Sequence, residues 1–365
     1  MIMTSIDKAI RQTVAYADLF DYPMEAGEIH RYLWGITATH DQVSHALKSM
    51  CSVDQTLSCS SSGDDGAIWY TLPGREWVGA IRRRREANAK VLWVKALRYA
   101  HLIGLLPFVR MVAVTGSLAV GNIDPKADID YLIVTRPGRL WLCRAAIIAL
   151  TKVAALQGDT ICPNYLLSET SLLLKEQNFY TAHEFTQMVP LYGMSVYHRM
   201  QTVNEWIQQF LPNATGSPPL AEKWFRSCHW HGIVPTKRNY AGLVKRMIEG
   251  VLQAAPGAWL EQWEMNRKLR KFTRHHAQNA ECSFSPECCK GHFHKHMTRT
   301  LTSLSRRLGE IEPELSVPLN NSTDPGRAES PHPLHPDVFR AKAPFPHFPL
   351  TSPGRLRERA EEMAV

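Results

Sequence analysis

The sequence predicts an α+β protein: a small mixed sheet with helices packed on it, a helical module before it, a helical region after it and a disordered tail. Three observations carry that prediction. Two apolar strand-length runs, 112–114 and 131–134, flank a Gly-Ser pair and an Asp-x-Asp triplet. Apolar residues recur at helical spacing before residue 105 and after residue 176. Ten of the 23 prolines fall in the 54 residues after Ile311, a composition that buries too little surface to repay ordering. The divisions predicted are a module at 1–75, a linker helix at 76–104, a core at 105–175, a helical region at 176–311 and a tail at 312–365.

In the first division, Ile6, Ile10, Val14 and Ala17 fall on one face of a helix that ends at Asp21-Tyr22-Pro23. Residues 24–33 form a second helix, stopped near Gly35. Thr39 and Gln42 make a capping box for a third, whose buried face is Val43, Ala46, Leu47 and Met50. Runs at 56–59 and 68–72 pair as a hairpin around the turn 62–66. Three helices and a hairpin resemble a winged helix, which implies contact with nucleic acid or with protein. The third helix turns Asp41, Ser44, His45 and Lys48 outward, a poor face for reading base edges. A packing or substrate-positioning role therefore stands beside DNA binding.

The linker helix carries four consecutive arginines, Arg82 to Arg85, with Val78, Ile81, Leu92, Trp93, Ala96 and Leu97 on its buried side. Four successive residues wrap most of a turn, so some of the arginines face solvent. A phosphate-binding edge is the sharper reading of that run.

The core supplies the chemistry. Gly116-Ser117 follows the first strand, and Asp128-Ile129-Asp130 opens the second after ten intervening residues. Alternate strand residues share a face, so Asp128 and Asp130 project together while Ile129 turns inward. Two like charges on one face call for a cation, and a partial shell of hard oxygens suits Mg²⁺ or Mn²⁺ completed by water and phosphate. Gly116, without a side chain, lets its amide approach a phosphate, and Ser117 adds a hydroxyl. Asp124 lies in the turn 122–127 and reads as a turn residue.

This string, with its apolar flanks, resembles the signature of the DNA polymerase beta-like nucleotidyltransferase superfamily, over about 25 of the 365 residues. The resemblance implies an enzyme that moves a nucleotidyl group from a nucleoside triphosphate to an acceptor, releasing pyrophosphate. Asp128 and Asp130 would be catalytic metal ligands, and Gly116 and Ser117 would bind the nucleotide. The superfamily usually adds a third carboxylate from a later strand, often as the base. Here that strand, 161–167, holds no acid, and Asn164 takes the place; an amide cannot accept the proton. Glu169 beyond the strand is the candidate third catalytic acid, with Asp159 before it as the alternative. Loss of the base supports a second reading, a nucleotide-binding regulator whose N-terminal module binds DNA or a protein partner.

Beyond Leu172 the pattern is helical to about Gln209 and again over 240–276. His183, Glu184, His198 and Arg199 are candidates for an acceptor pocket. Trp259 and Trp263, one turn apart, read as core packing. The Cys/His cluster at 275–296 lacks the Cys-x2-4-Cys pair of a zinc site. The formal charge is +8, and +10 without the tail, whose eight acids outnumber six bases; this favours an anionic partner. With no secretory signal at the start and no apolar run long enough for a bilayer, a cytoplasmic protein is expected. Eight cysteines without a regular framework fit reduced thiols.

Overall fold

The computed structural model describes residues 4–61, 66–216, 218, 240–276, 282–291 and 296–311. These residues form a mixed α and β structure with eleven α-helices and two sheets. The tail at 312–365, most of the hairpin turn at 62–66 and His292 and His294 lie outside the described residues.

The chain begins with α1 (Ser5–Asp18), opened by a capping box in which Thr4 and Asp7 exchange hydrogen bonds of 3.0 and 3.2 Å. Next come β1 (Met24–Glu25), α2 (Ala26–Arg31) and α3 (His40–Ser52). The Thr39–Gln42 box opens α3 as its sequence requires, and Val43, Leu47 and Met50 are its buried face. Strands β2 (Ser58–Ser61) and β3 (Ile68–Thr71) pair as the predicted hairpin, and β1 adds to β3 in a three-stranded antiparallel sheet. The segment read as one helix from Met24 thus starts as a strand. Met24 finds its partner in Tyr70, 46 positions away, which helical periodicity cannot register.

The linker is α4 (Val78–Leu105). Its arginine run divides. Arg82 is fully buried, paired with Glu25 (3.1 Å), Glu28 (2.7 Å) and Glu86 (2.9 Å), donating to the Pro23 carbonyl and lying 4.5 Å from the Tyr22 ring centre. Arg83 and Arg84 are exposed. Arg82 therefore fastens the N-terminal module to α4.

The central sheet is built from β4 (Val109–Val114), β5 (Ile129–Thr135), β6 (Ile161–Ser168), β7 (Val189–Tyr192), β8 (Cys282–Ser285) and β9 (Cys288–Gly291), in the order β7-β4-β5-β6-β9-β8. Among the described residues only β5 and β6 run parallel, joined over the sheet by α6 (Leu140–Leu156); the other pairings described are antiparallel. Between β4 and β5 lies the single turn α5 (Gly116–Ala119). The sheet is followed or interleaved by α7 (Phe179–Gln187), α8 (Met194–Val203), α9 (Tyr240–Gln253), α10 (Ala255–His276) and α11 (His296–Ile311).

Both faces of the sheet are covered. Val112, Val114, Tyr131, Ile133 and Leu166 pack with α4 and α6, while Met111, Ala113, Leu132, Val134 and Leu167 pack with the N-terminal module, α7 and α8. Strand alternation accounts for the division residue by residue.

Two expectations change. The region expected to be helical supplies half of the sheet's strands: Val189-Pro190-Leu191-Tyr192 is an edge strand against β4, where proline is tolerated, and the β8–β9 hairpin extends the other edge. Cys288 and Cys289 consequently point to opposite faces, one into each core, rather than toward a common ligand. Trp259 and Trp263 are 65% and 52% exposed and stack on each other at 6.5 Å, outside the core. Among the described residues no helix is long and apolar enough to cross a membrane.

Candidate functional site

The register of β5 places the aspartates. Ile129, Tyr131 and Ile133 enter the α4/α6 core, so Asp130 shares the opposite face with Leu132 and Val134, toward the N-terminal module. Asp128 stands just before the strand. The turn leaving β4 closes on Asp130: the Thr115 amide donates to the Asp130 carbonyl at 3.0 Å, and Gly116 takes a left-handed conformation at φ +66°. A Cβ on Gly116 would lie 2.9 Å from Asp130 Oδ2. Only glycine satisfies both the backbone angle and that approach.

At this point the ends of β4, β5 and β6 open on a cavity of about 570 Å³, whose walls include Gly116, Ser117, Asp128, Asp130 and Asn164. The wall also takes residues from α1, α2 and α7, among them Tyr16, Tyr32, Tyr180, His183 and Glu184. Arg85 stands at its edge, donating to the carbonyl of Phe20 (2.9 Å) and to Asn122 Oδ1 (3.2 Å), and so ties the module to the turn after α5. Asp124 is an exposed turn residue 3.4 Å from Arg85.

Neither acid flanking β6 reaches the cavity. Glu169 lies seven residues past Cys162, the partner of Asp130, roughly 23 Å along an extended strand. There its carboxylate pairs with Arg199 (3.4 Å) and Arg110 (3.9 Å). Asp159 accepts from Lys95 (2.5 Å) and Tyr99 (2.7 Å); burial pushes its carboxyl up, and these two donors outweigh burial and hold it below the usual range. The expectation of Glu169 as third acid is thus not met by the geometry, because β6 carries it to the far end of the sheet. Asn164 occupies the wall instead.

Of the acceptor-pocket candidates, His183 and Glu184 line the cavity, whereas His198 and Arg199 are exposed and lie outside its lining. Burial lowers His183 to about 3, leaving a neutral ring at neutral pH. Burial, partly offset by the Lys290 ammonium, raises the Glu184 carboxyl to about 7. The sequence carried no sign that Tyr16 and Tyr32 belong to this site, since both arrive through packing of the N-terminal module over the strand ends.

Asp128 and Asp130 are the carboxylates of this cavity that could hold a hard divalent cation. Asp128 and Asp130 are partly exposed to the cavity, and the space a Cβ would take at Gly116 is left clear beside Asp130 Oδ2. Among the described residues no three His, Cys, Asp or Glu side chains are grouped to hold a metal, so a cation here would complete its shell with water and phosphate oxygens. Comparison of the chain with protein-family models, curated proteins and solved structures returns no significant match.

Proposed function

We propose that the chain is a Mg²⁺- or Mn²⁺-dependent nucleotidyltransferase that transfers a nucleotidyl group from a nucleoside triphosphate to a hydroxyl-bearing acceptor, with release of pyrophosphate. The observation that carries this reading is the convergence of left-handed Gly116, Ser117, Asp128 and Asp130 on one cavity, with Gly116 pressed against the Asp130 carboxylate. Asp128 and Asp130 would hold the cation, which when bound offsets the charge on the phosphoryl oxygens. The Gly116 amide and the Ser117 hydroxyl would receive the β and γ phosphates. α5 is only four residues long, so the contribution lies in these two groups rather than in a helix dipole.

The α1-β1-α2-α3-β2-β3 order supports a winged-helix-like assignment for the N-terminal module. Its third helix exposes Asp41, His45 and Lys48, while its first and second helices wall the cavity. This arrangement supports substrate positioning over DNA reading. The nucleotide-binding regulator is the second reading, favoured by Asn164 standing where a carboxylate is usual.

Incubation of the protein with each α-labelled nucleoside triphosphate, Mg²⁺ and cell extract tests the proposal, with the label followed into small-molecule, protein and RNA fractions. Transfer with pyrophosphate release is the expected result; cation-dependent binding without release selects the regulator, and no binding ends both readings. Gly116→Ala probes the turn. It carries about 1–2 kcal/mol of left-handed strain and crowds Asp130, so a fluorescent triphosphate analogue titrated with Mn²⁺ is expected to bind roughly tenfold or more weakly, a loss of ~1.4 kcal/mol or more.

A further inference from the structure

The cavity that holds the aspartates also contains an unanswered hydrogen-bonding group. His183 is 2% exposed, stacks on Tyr16 at 4.2 Å between Phe179 (4.7 Å) and Tyr32 (5.4 Å), and has no partner for Nε2 among the described residues. Leaving such a nitrogen unpaired costs about 1–3 kcal/mol, which a polar group on a bound molecule would recover. The side chain of the adjacent Glu184 makes no hydrogen bond or ion pair among the described residues. Tyr16 from α1 and Lys290 from β9 act on it electrostatically, Lys290 being already paired with Glu176 at 3.1 Å, and Tyr180, Asp128, Asp130 and His296 of α11 line the same cavity.

We propose that Glu184 is the general base of the transfer, and that the pocket formed by α1, α2 and α7 receives the acceptor as a small hydroxyl compound with an apolar or aromatic body. This rests on the nucleotidyltransferase reading above. The acceptor O–H gives its proton to the Glu184 carboxylate while the oxygen's electron pair forms a bond to the α phosphorus. The bond from that phosphorus to the bridging oxygen breaks, and its electron pair leaves with pyrophosphate. A base on α7 accounts for Asn164 on β6, because the proton has another destination. Its position near 7 keeps about half of the molecules ionised at neutral pH and the carboxylate basic enough to act. The acceptor class follows from the wall: Tyr16, Ala17, Leu19, Met24 and Tyr32 stand there, where a polynucleotide would require a row of cations.

Glu184→Gln tests the base. With Mg²⁺ and triphosphate, pyrophosphate release is measured with water alone, with benzyl alcohol and with a short oligonucleotide bearing a free 3′-hydroxyl. Release by the variant is expected to fall by about 10²–10⁴-fold at unchanged affinity for a fluorescent triphosphate analogue. The wild-type rate is expected to rise with pH through about 7, and the variant to lose that limb. If Glu184→Gln does not fold, Glu184→Asp decides: a retained pH limb supports the base, a flat profile overturns it. Wild-type rates from Glu184→Gln, absence of release by the native protein, or greater stimulation by the oligonucleotide than by benzyl alcohol each overturn the proposal. If Asp128→Asn and Asp130→Asn lose cation-dependent nucleotide binding while Glu184→Gln stays fully active, only the base assignment falls. If those two aspartate variants bind nucleotide normally, the nucleotidyltransferase reading itself falls.

Discussion

Asp128→Asn and Asp130→Asn are each expected to reduce pyrophosphate release by at least about 10³-fold, ~4 kcal/mol of barrier, with little change in melting temperature. The amide keeps the size of the side chain but removes the charge that would hold a cation. What fixes the β4–β5 turn is the Asp130 main-chain carbonyl, which accepts from Thr115 whatever the side chain carries. Relief of repulsion between two neighbouring carboxylates also works in the direction of stability. Steady-state release assays beside thermal melts make the comparison, and full activity in both variants would sink the metal assignment.

Arg82→Ala is expected to cost about 3–5 kcal/mol of stability, the usual loss when one side of a buried ion pair is removed. The guanidinium is 1% exposed and meets three carboxylates, of which Glu28 is itself only 12% exposed; without Arg82 those charges stay behind in a poorly solvated place. Because the same group holds the Pro23 carbonyl and stacks near Tyr22 and Trp69, the damage falls on the junction between the N-terminal module and α4. Arg84→Ala, two positions along and exposed, should remain within about 0.5 kcal/mol of the native protein. Urea unfolding of the two variants side by side measures the contrast; equal midpoints would refute it.

Local signals in the sequence were sufficient wherever the determinant of structure is local. The Thr39–Gln42 capping box follows from its cap residues, and the shared placing of Asp128 and Asp130 from alternation; the structure has the box and sets both aspartates on one cavity. The strand β7 was not legible because four residues ending in Tyr192 carry too little period to outweigh the helices on either side. The β8–β9 hairpin is edge structure made of small Ser and Cys residues, which lack the β-branched signature of a strand. Within the site, Gly116 and Ser117 were legible from their motif, whereas the roles of Arg85, Tyr16 and Tyr32 depend on which surface the N-terminal module packs against. The third-acid question turned on geometry of the same kind: seven residues of extended chain take Glu169 away from the cavity, while α7 brings Glu184 to it from a helix that no strand motif points to.

The far ends of the described chain meet on α1. Arg11 donates to the Ile311 carbonyl at 2.8 Å, and Arg307 of α11 pairs with Asp18. The same cavity takes wall residues from Thr13 through His296, so its closure depends on contacts nearly three hundred residues apart. Such contacts form late, after the loop-closure entropy of the whole chain has been met. A ribosome releasing this protein from its N-terminus therefore delivers the module, the linker and the aspartates well before the segment that completes the enclosure, and the cavity is whole only once that last segment has emerged.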